Sequence, residues 1–397
     1  MNDSGPIFLP RGFRFAAVAA GIKASGKPDL GLIVSGPAAN AASLFTKNLI
    51  AAAPVEVGRS ALAKSGGKVS AVVVNSGNAN CATGKRGIQD CKAVCGAVAK
   101  QLRIPSSEVF PSSTGIIGVR FPAPKINSNL RPLIAAAGSS IDHLRQFANA
   151  ILTTDKRPKL ASVSLHSGAA AITGVAKGSG MIHPQLATML VYLLTDVVAS
   201  PAALRRALKN ACDETFNLIS VDGDTSTNDT VLLLASGASQ IKLTTIRNEF
   251  ETALLSVCRS LADQIVADGE GVQHIIRLRI EQAKNRAEAL QVARAISHSL
   301  LVKTAWAGAD PNWGRILAAV GRSGVRVEHQ KISIRIGDQI VCRGSVAFDF
   351  DERRAHQELS KPESHITVRL QQGTAALEFL TTDLTEEYVR INADYST

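Results

Sequence analysis

The run KGSGMIHPQLATMLVYLLTD, residues 177–196, decides how this chain is read. Gly178, Ser179, Gly180 and Pro184 lead directly into an apolar stretch with the length of a buried strand, and Ala187 and Thr188 stand at the junction. A threonine hydroxyl is a weak nucleophile unless a base adjoins it. If the peptide bond before Thr188 were cut, the new α-amine would be that base, on the same residue. Its ordinary pKa of about 7.7 to 8 suits proton transfer near neutrality. Thr188 could make the cut itself, attacking the Ala187 carbonyl to give an ester that water hydrolyses. Such an attack needs a small preceding residue, which Ala187 is, and an unusual backbone, which glycine steps permit. The same residues also spell an ordinary turn entering a strand, and the run by itself does not separate the two.

Working outward, 397 residues with 45% hydrophobic and 19% charged content can bury a substantial core in two or more units. The formal charge of +11 would suit an anionic partner, but aromatics are only 4% and no dense Lys/Arg block occurs, which argues against nucleic acid. The start, MNDSGPIFLPRGF, has neither the charged nor the long apolar region of an export signal, and Thr195 and Asp196 interrupt the longest apolar run. A cytoplasmic protein without membrane contact is expected. Six cysteines, at 81, 91, 95, 212, 258 and 342, match no metal-binding spacing, and Cys91 and Cys95 read as small core residues of one helix.

SAVVVNS (70–76) reads as a buried strand that breaks into an Asn/Gly loop before a helix over about 85–102. Ser200-Pro201 is an N-cap with proline at the first helical position, opening a helix to about Asn217. The polar loop ISVDGDTSTND precedes a strand, TVLLLASG, and helical spacing follows from about Leu243 to Ala267. Beyond it, IIRLRI (275–280) and KISIRIGDQIVCRG (331–344) alternate as half-buried strands do, the latter turning at Gly337-Asp338. HITVRLQQGTAALEFL reads as another hairpin around Gln372-Gly373, with helices at about 284–299 and 351–360. The pattern implies an α+β or layered α/β core to about residue 240 and a smaller α+β unit after it.

Several known motifs fail. Gly84-Lys85 is followed by Arg86, not Ser or Thr, so there is no phosphate-binding P-loop; no GxGxxG, HExxH or GxSxG is complete.

KGSGMIHPQLATML closely resembles the processing site of the ornithine acetyltransferase / glutamate N-acetyltransferase family of arginine biosynthesis. The likeness runs along the chain in order: PRGFRFAAVAAGIKASGKPDLGLI, NSGNANCATG, SSTGIIG, ILTTDKRPK, SVDGDTSTNDTVLLLASG, GADPNWGRILAAVGRSG and DLTEEYVRINADYST. It implies a layered αββα-type sandwich core of the kind found in self-cleaving aminopeptidases, with a smaller C-terminal α+β region. It also implies cleavage between Ala187 and Thr188. Residues 1–187 become an α chain and the first part of the core; 188–240 begin the β chain and complete the core; 241–397 form the smaller region, with the tail returning to the site. Thr188 then carries acetyl from N-acetylornithine to glutamate in a ping-pong cycle, within an α2β2 assembly.

The carried-over site is Thr114 and Gly115 as an oxyanion hole, chemically apt as a hydroxyl beside a backbone N–H. Thr154, Lys177, Thr188, Glu270, Asn392 and Thr397 bind substrate. Lys177 offers a cation to an α-carboxylate, and Glu270 an anion to the ornithine ammonium. No metal or cofactor is implied. Bifunctional family members also take acetyl from acetyl-CoA, recycling-only members do not, and no local motif here decides between them. Asn75, Asn78 and Asn80 read either as shaping the site loop or as purely structural. Asp222 and Asp224 read as structural hydrogen-bond formers, and GADPNWGR as a proline turn anchored by Trp313, with Arg315 open to pairing an acid. Two departures stand out. Val272-Gln273-His274 replaces the usual Ala-Thr-Lys after Glu270, and His183 stands where a small residue is usual. Other readings are an amidohydrolase or aminopeptidase on the same fold, a specialised acetyltransferase of another pathway, or an unprocessed, non-catalytic binding protein.

Overall fold

The computed structural model describes residues 5–183 and 189–394. Its larger sheet is eight-stranded, built from β1 (Phe13–Val18), β2 (Leu30–Phe45), β3 (Lys68–Asn78), β4 (Val109–Ile116), β5 (Lys159–Leu165), β6 (Ala170–Lys177), β7 (Leu190–Thr195) and β8 (Thr230–Ala235). The order is β4-β3-β2-β8-β7-β6-β5, with β1 also paired to β2; β3–β4 and β7–β8 are parallel and the remaining pairs antiparallel.

β2 explains the layering. Its first half pairs with β1 and β3 and its second half with β8, with a register shift between Val34 and Ala39. The sheet therefore folds over on itself. Side chains that alternate along each strand separate into three cores, as a period of two requires. Ile33, Val72, Val74, Val175, Tyr192, Leu232 and Leu234 meet between the two halves. Leu30, Leu32, Ala71 and Val73 face outward onto α2 (Gly84–Leu102) and α3 (Ala123–Ala135), with Val57 of α1 (Ala53–Lys64). Ile172, Val191, Leu193, Val231 and Leu233 face α5 (Pro201–Asp213) and α6 (Arg247–Ala267) on the other side. The result is helix, sheet, sheet, helix. Phe147 of α4 (Ile141–Ala150) plugs the middle layer against Tyr192 at 5.5 Å. β7 is buried along its length, as the apolar run after Thr188 predicts.

The second sheet runs β12-β11-β10-β13-β9-β14, from β9 (Ile275–Ala283), β10 (Ser333–Ile336), β11 (Gln339–Arg343), β12 (Val346–Ala347), β13 (Glu363–Arg369) and β14 (Ala375–Thr382). One face is covered by α7 (Arg286–Ser297), α8 (Leu300–Ala307), α9 (Trp313–Gly321) and α10 (Glu352–Leu359), through Val292, Ile296, Trp306, Ile316 and Leu359. The Gly337-Asp338 turn joins β10 to β11 as expected. The second expected hairpin is corrected: β13 and β14 do not pair but flank β9, one parallel and one antiparallel. Gln372 and Gly373 donate to the Gln282 carbonyl, carrying the connection over the end of β9. An interior strand thereby has both backbone edges satisfied.

α5 stops at Asp213, four residues short of the expected end, because Thr215 Oγ1 caps the Ala211 carbonyl at 2.6 Å and a 3-10 turn follows. α6 begins at Arg247, after two turns at Thr245 and Ile246, and its buried face lies on the larger sheet. α11 (Glu386–Asp394) ends the described chain. All six cysteines are buried and free. Among the described residues, no helix is long and apolar enough to cross a membrane.

Candidate active site

Parallel β3 and β4 end side by side, and there the chain needs glycine. Gly115 has φ +130°, and a Cβ on it would lie 2.4 Å from the Gly77 carbonyl carbon and 2.5 Å from the Asn78 nitrogen. The loop that follows is held by side-chain amides. Asn75 Nδ2 donates to the Asn78 carbonyl at 2.8 Å, Ser113 Oγ to Asn75 Oδ1 at 2.6 Å, and the Asn80 N–H to Asn78 Oδ1 at 2.8 Å. Asn228, just before β8, donates to the carbonyls of Ala79 (2.7 Å) and Ser113 (2.8 Å), tying the end of β4 to the other half of the sandwich.

Thr114 and Gly115 line a cavity of about 230 Å³ together with Thr154, Lys177, Glu270 and Asn392. Six of the residues singled out from sequence thus converge on one space. Ala187, Thr188 and Thr397 lie outside the described residues. Met189, the residue after Thr188, is buried, and Thr230 N–H of β8 donates to its carbonyl at 3.1 Å.

Lys177 ends β6 with its side chain buried. Burial lowers its pKa, against the pull of Asp155, Asp229 and Glu270. Behind it, Lys159 bonds Asp155 at 2.6 Å and Asp268 at 2.5 Å, all three buried. Burial pushes the Asp155 carboxyl up, but Lys177, Lys159 and the Gly178 N–H prevail and hold it far below the usual range. Glu270 follows α6, and its N–H donates to the Ser179 carbonyl at 2.9 Å. Its carboxylate accepts from Asn392 Nδ2 at 2.9 Å and lies against Gly180, where a Cβ would be 2.4 Å from Oε2. Gly180 is therefore the space that admits the carboxylate. Thr154 Oγ1 and Ser179 Oγ share a hydrogen bond of 2.7 Å.

Several cavity residues were not assigned to the site from sequence, among them Ser179, Asn228 and Tyr388. Only their place beside quoted motifs pointed to them. Asp222 also lines the cavity, and its carboxylate accepts the N–H groups of Met181 (2.5 Å) and Ile182 (2.9 Å), a structural role as expected. Burial raises its pKa to about 6 against those donors. Tyr388 donates to it across 3.4 Å, and α11 is seated by this contact and by Thr385 Oγ1 on the Gly271 carbonyl at 2.6 Å. Among the described residues Arg315 pairs no acid; it donates to the Leu301 carbonyl at 2.8 Å. His274 is engaged by Asp383 at 3.0 Å and so is turned to the base of β14. Among the described residues, no group of three or more His, Cys, Asp or Glu could hold a metal ion.

His183 has a partner that sequence could not reveal: its ring lies 4.8 Å from that of His298, which bonds Ser220 Oγ at 3.2 Å. Burial, then the adjacent His183, Lys303 and Arg294, lower the His298 pKa to about 3; burial and Arg294 also lower that of His183. Both rings are neutral at pH 7. The unfolded chain takes up protons near 6.5 and the folded one does not, so stability present above 6.5 is lost as pH falls toward 3. His298→Asn should flatten this loss. Thermal melts at pH 7 and pH 5 are expected to differ by several degrees less than for the unaltered chain, and equal slopes would refute the assignment.

A family model described as the ArgJ family matches residues 14–397. The chain belongs to the ArgJ family. It is 45% identical over 390 residues to an arginine biosynthesis bifunctional protein ArgJ of Thermus thermophilus, covering 98% of this chain and 99% of the relative. It is 43% identical over 395 residues to a glutamate N-acetyltransferase of Methanopyrus kandleri, with 98% and 99% covered. A crystal structure of an ArgJ from Bacillus halodurans is 42% identical and matches 51% of this chain and 98% of that one, with a TM-score of 0.49. As an ArgJ family member the chain is an enzyme, an acyltransferase of arginine biosynthesis.

Proposed function

We propose that the chain cuts itself between Ala187 and Thr188 and then moves acetyl from N-acetylornithine to glutamate through an ester on Thr188. The observation that carries this reading is the convergence of Thr114 and Gly115 with Lys177, Glu270 and Asn392 on one small cavity, beside the strand that Thr188 precedes. A buried cation and a buried carboxylate at opposite charge suit a zwitterionic amino acid, and the volume suits one molecule of that size.

In the proposed cycle the α-amine of Thr188 takes the hydroxyl proton as Oγ bonds the acetyl carbon. The Thr114 and Gly115 donors bear the developing oxyanion. The C–N bond to ornithine breaks, and the proton held by the amine passes to the departing nitrogen. Glutamate then enters, its amine attacks the ester, and N-acetylglutamate leaves. Lys177 receives the substrate α-carboxylate. Glu270, fixed by Asn392, receives the ornithine ammonium, and Thr154 is held against Ser179 at the rim. Thr397 is proposed to complete the site. Buried free thiols suit a reducing, cytoplasmic setting, and paired α and β chains form the assembly.

N-terminal sequencing of the purified protein, with acetyl transfer assayed with and without glutamate, tests the reading. A fragment starting at Thr188 and glutamate-dependent transfer are expected. A single 397-residue band would overturn it, and acetate release without transfer would favour an amidohydrolase. Glu270→Gln should raise KM for N-acetylornithine about 10- to 100-fold, the worth of one charged hydrogen bond. An unchanged KM in steady-state assays would remove Glu270 from ornithine binding.

A further inference from the structure

The face of the second sheet turned away from its helices carries a cavity of about 560 Å³, which shares no lining residue with the one that holds Lys177 and Glu270. Alternation along KISIRI and HITVR sends Ile334, Ile336, Ile366 and Val368 into the core beneath the helices, so Ser333, Arg335, Thr367 and Arg369 stand on the other side. Cross-strand partners share a face. Arg369, Ser333 and Arg343 therefore form one row across β13, β10 and β11, and Thr367 and Arg335 stand in the next. Arg343 and Arg369 flank Ser333 with their backbones about 10 Å apart, twice the spacing of neighbouring strands. Three arginines and no Asp or Glu line the cavity. Glu281 extends the first row and accepts from Arg369 Nε at 2.7 Å, but Arg279 shares the same carboxylate, also at 2.7 Å. That carboxyl is held below its usual range first by the Arg369 hydrogen bond and then, against its burial, by the charges of Arg369, Arg279 and Arg335. Among the described residues, Arg335 and Arg343 pair no acid. Arg343 lies instead over the Phe348 ring, 4.3 Å from its centroid, a contact that steadies the guanidinium without neutralising it. Between the arginines lie the Ser333 and Thr367 hydroxyls, neither of them hydrogen-bonded among the described residues, although Thr367 is only 7% exposed.

We propose that this face binds a diphosphate group, with Arg335, Arg343 and Arg369 as its cations and the Ser333 and Thr367 hydroxyls as further donors. Guanidinium forks meet phosphate oxygens two at a time, and two linked phosphates reach across the floor from Arg369 to Arg343 where a single one would serve one side. Only the Nε of Arg369 is engaged by Glu281, so its terminal nitrogens can donate to the ligand. Short hydroxyl side chains in the floor leave room above the sheet and supply donors where longer ones would fill the space. The cavity also has room for an organic part, with Ile340 as an apolar wall. Inorganic pyrophosphate and a nucleoside diphosphate share the chemistry that is recognised, and the site lies apart from the one proposed for acetyl transfer.

Isothermal titration calorimetry on the full protein, with pyrophosphate, ADP, inorganic phosphate and adenosine as probes, tests this. Pyrophosphate or ADP is expected to bind saturably with a Kd below about 1 mM, and adenosine not to bind. Arg335→Ala and Arg343→Ala should each weaken that binding about 10-fold or more, the effect of one charged hydrogen-bonding group, while acetyl transfer stays at its unaltered rate. Tighter binding of ADP names the nucleotide as the source of the diphosphate, and tighter binding of pyrophosphate names the inorganic ion. No saturable heat from either up to about 10 mM overturns the proposal, as does inorganic phosphate binding as tightly as pyrophosphate. Full-strength binding by the doubly substituted chain also overturns it. So does a changed mass of the assembly in that chain when the unaltered protein binds neither probe, which would make the face a subunit contact. If the variants fail to fold, salt decides on the unaltered protein: raising NaCl from about 50 to about 200 mM should weaken binding several-fold, and salt-independent binding overturns the proposal.

Discussion

A Thr188→Ala chain is expected to migrate as one uncut band and to lose acetyl transfer by roughly 10,000-fold or more, the scale on which removing a covalent nucleophile acts. Both losses have one cause. Alanine has no oxygen to attack the preceding carbonyl, so the chain stays joined; without the cut there is no free α-amine, and without the hydroxyl no acceptor for acetyl. Thr188→Ser separates this from a packing effect, because it keeps the hydroxyl and discards only a methyl. It should still be cut and retain a substantial fraction of activity. Denaturing gels, N-terminal sequencing and acetyl-transfer rates measure all of this, and cutting or transfer at near-normal rates by Thr188→Ala would refute the nucleophile assignment.

Gly115→Ala is expected to lower kcat by about 100- to 1,000-fold while changing KM little, the effect of losing an oxyanion donor used chiefly in the transition state. The added methyl would sit 2.4 Å from the Gly77 carbonyl carbon, and backbone cannot yield as a flexible side chain does. The φ of +130° also disfavours any side chain. β4 must then part from β3 at its end, taking Thr114 with it, so a lower melting temperature should accompany the kinetic loss. Gly96→Ala in α2 is the control: nothing lies within 4 Å of the new methyl, and alanine in place of glycine inside a helix is mildly stabilising. Unchanged kcat in Gly115→Ala would remove the pair from oxyanion stabilisation.

What could be read before the structure depended on whether signals were local. β7, β8 and α2 announce themselves through contiguous apolar runs or helical spacing, and Gly337-Asp338 through its turn chemistry. β2 did not, because LGLIVSGPAANAASLF mixes Ala, Gly and Ser, and its sixteen residues serve two halves of a sheet with different faces inward. The supposed hairpin after Arg369 failed for a similar reason: the turn residues are correct, but partner choice is non-local, and β9 takes both strands. In the site, Thr114, Lys177 and Glu270 came from family motifs, whereas their physics does not show in sequence. Lys177 looks like a surface lysine until β6 buries it, and Gly180 like a loop glycine until Glu270 fills its vacant side. Tyr388 and Asn228 reach the cavity only through the fold.

The central strands have mixed ancestry: β2 and β6 precede residue 188, while β8 and β7, adjacent and lying between them, follow it. A cut there would not yield two bodies that touch but two threads of one fabric, with β8 hydrogen-bonded to β2 and β7 to β6 across the divide. Dilution would not part them. Once denatured, however, the two threads would have to find each other as separate molecules, so a protein able to fold alone in its youth would become concentration-dependent for the rest of its life. Cleavage of this kind works as a ratchet: the information needed to assemble the molecule is spent in assembling it.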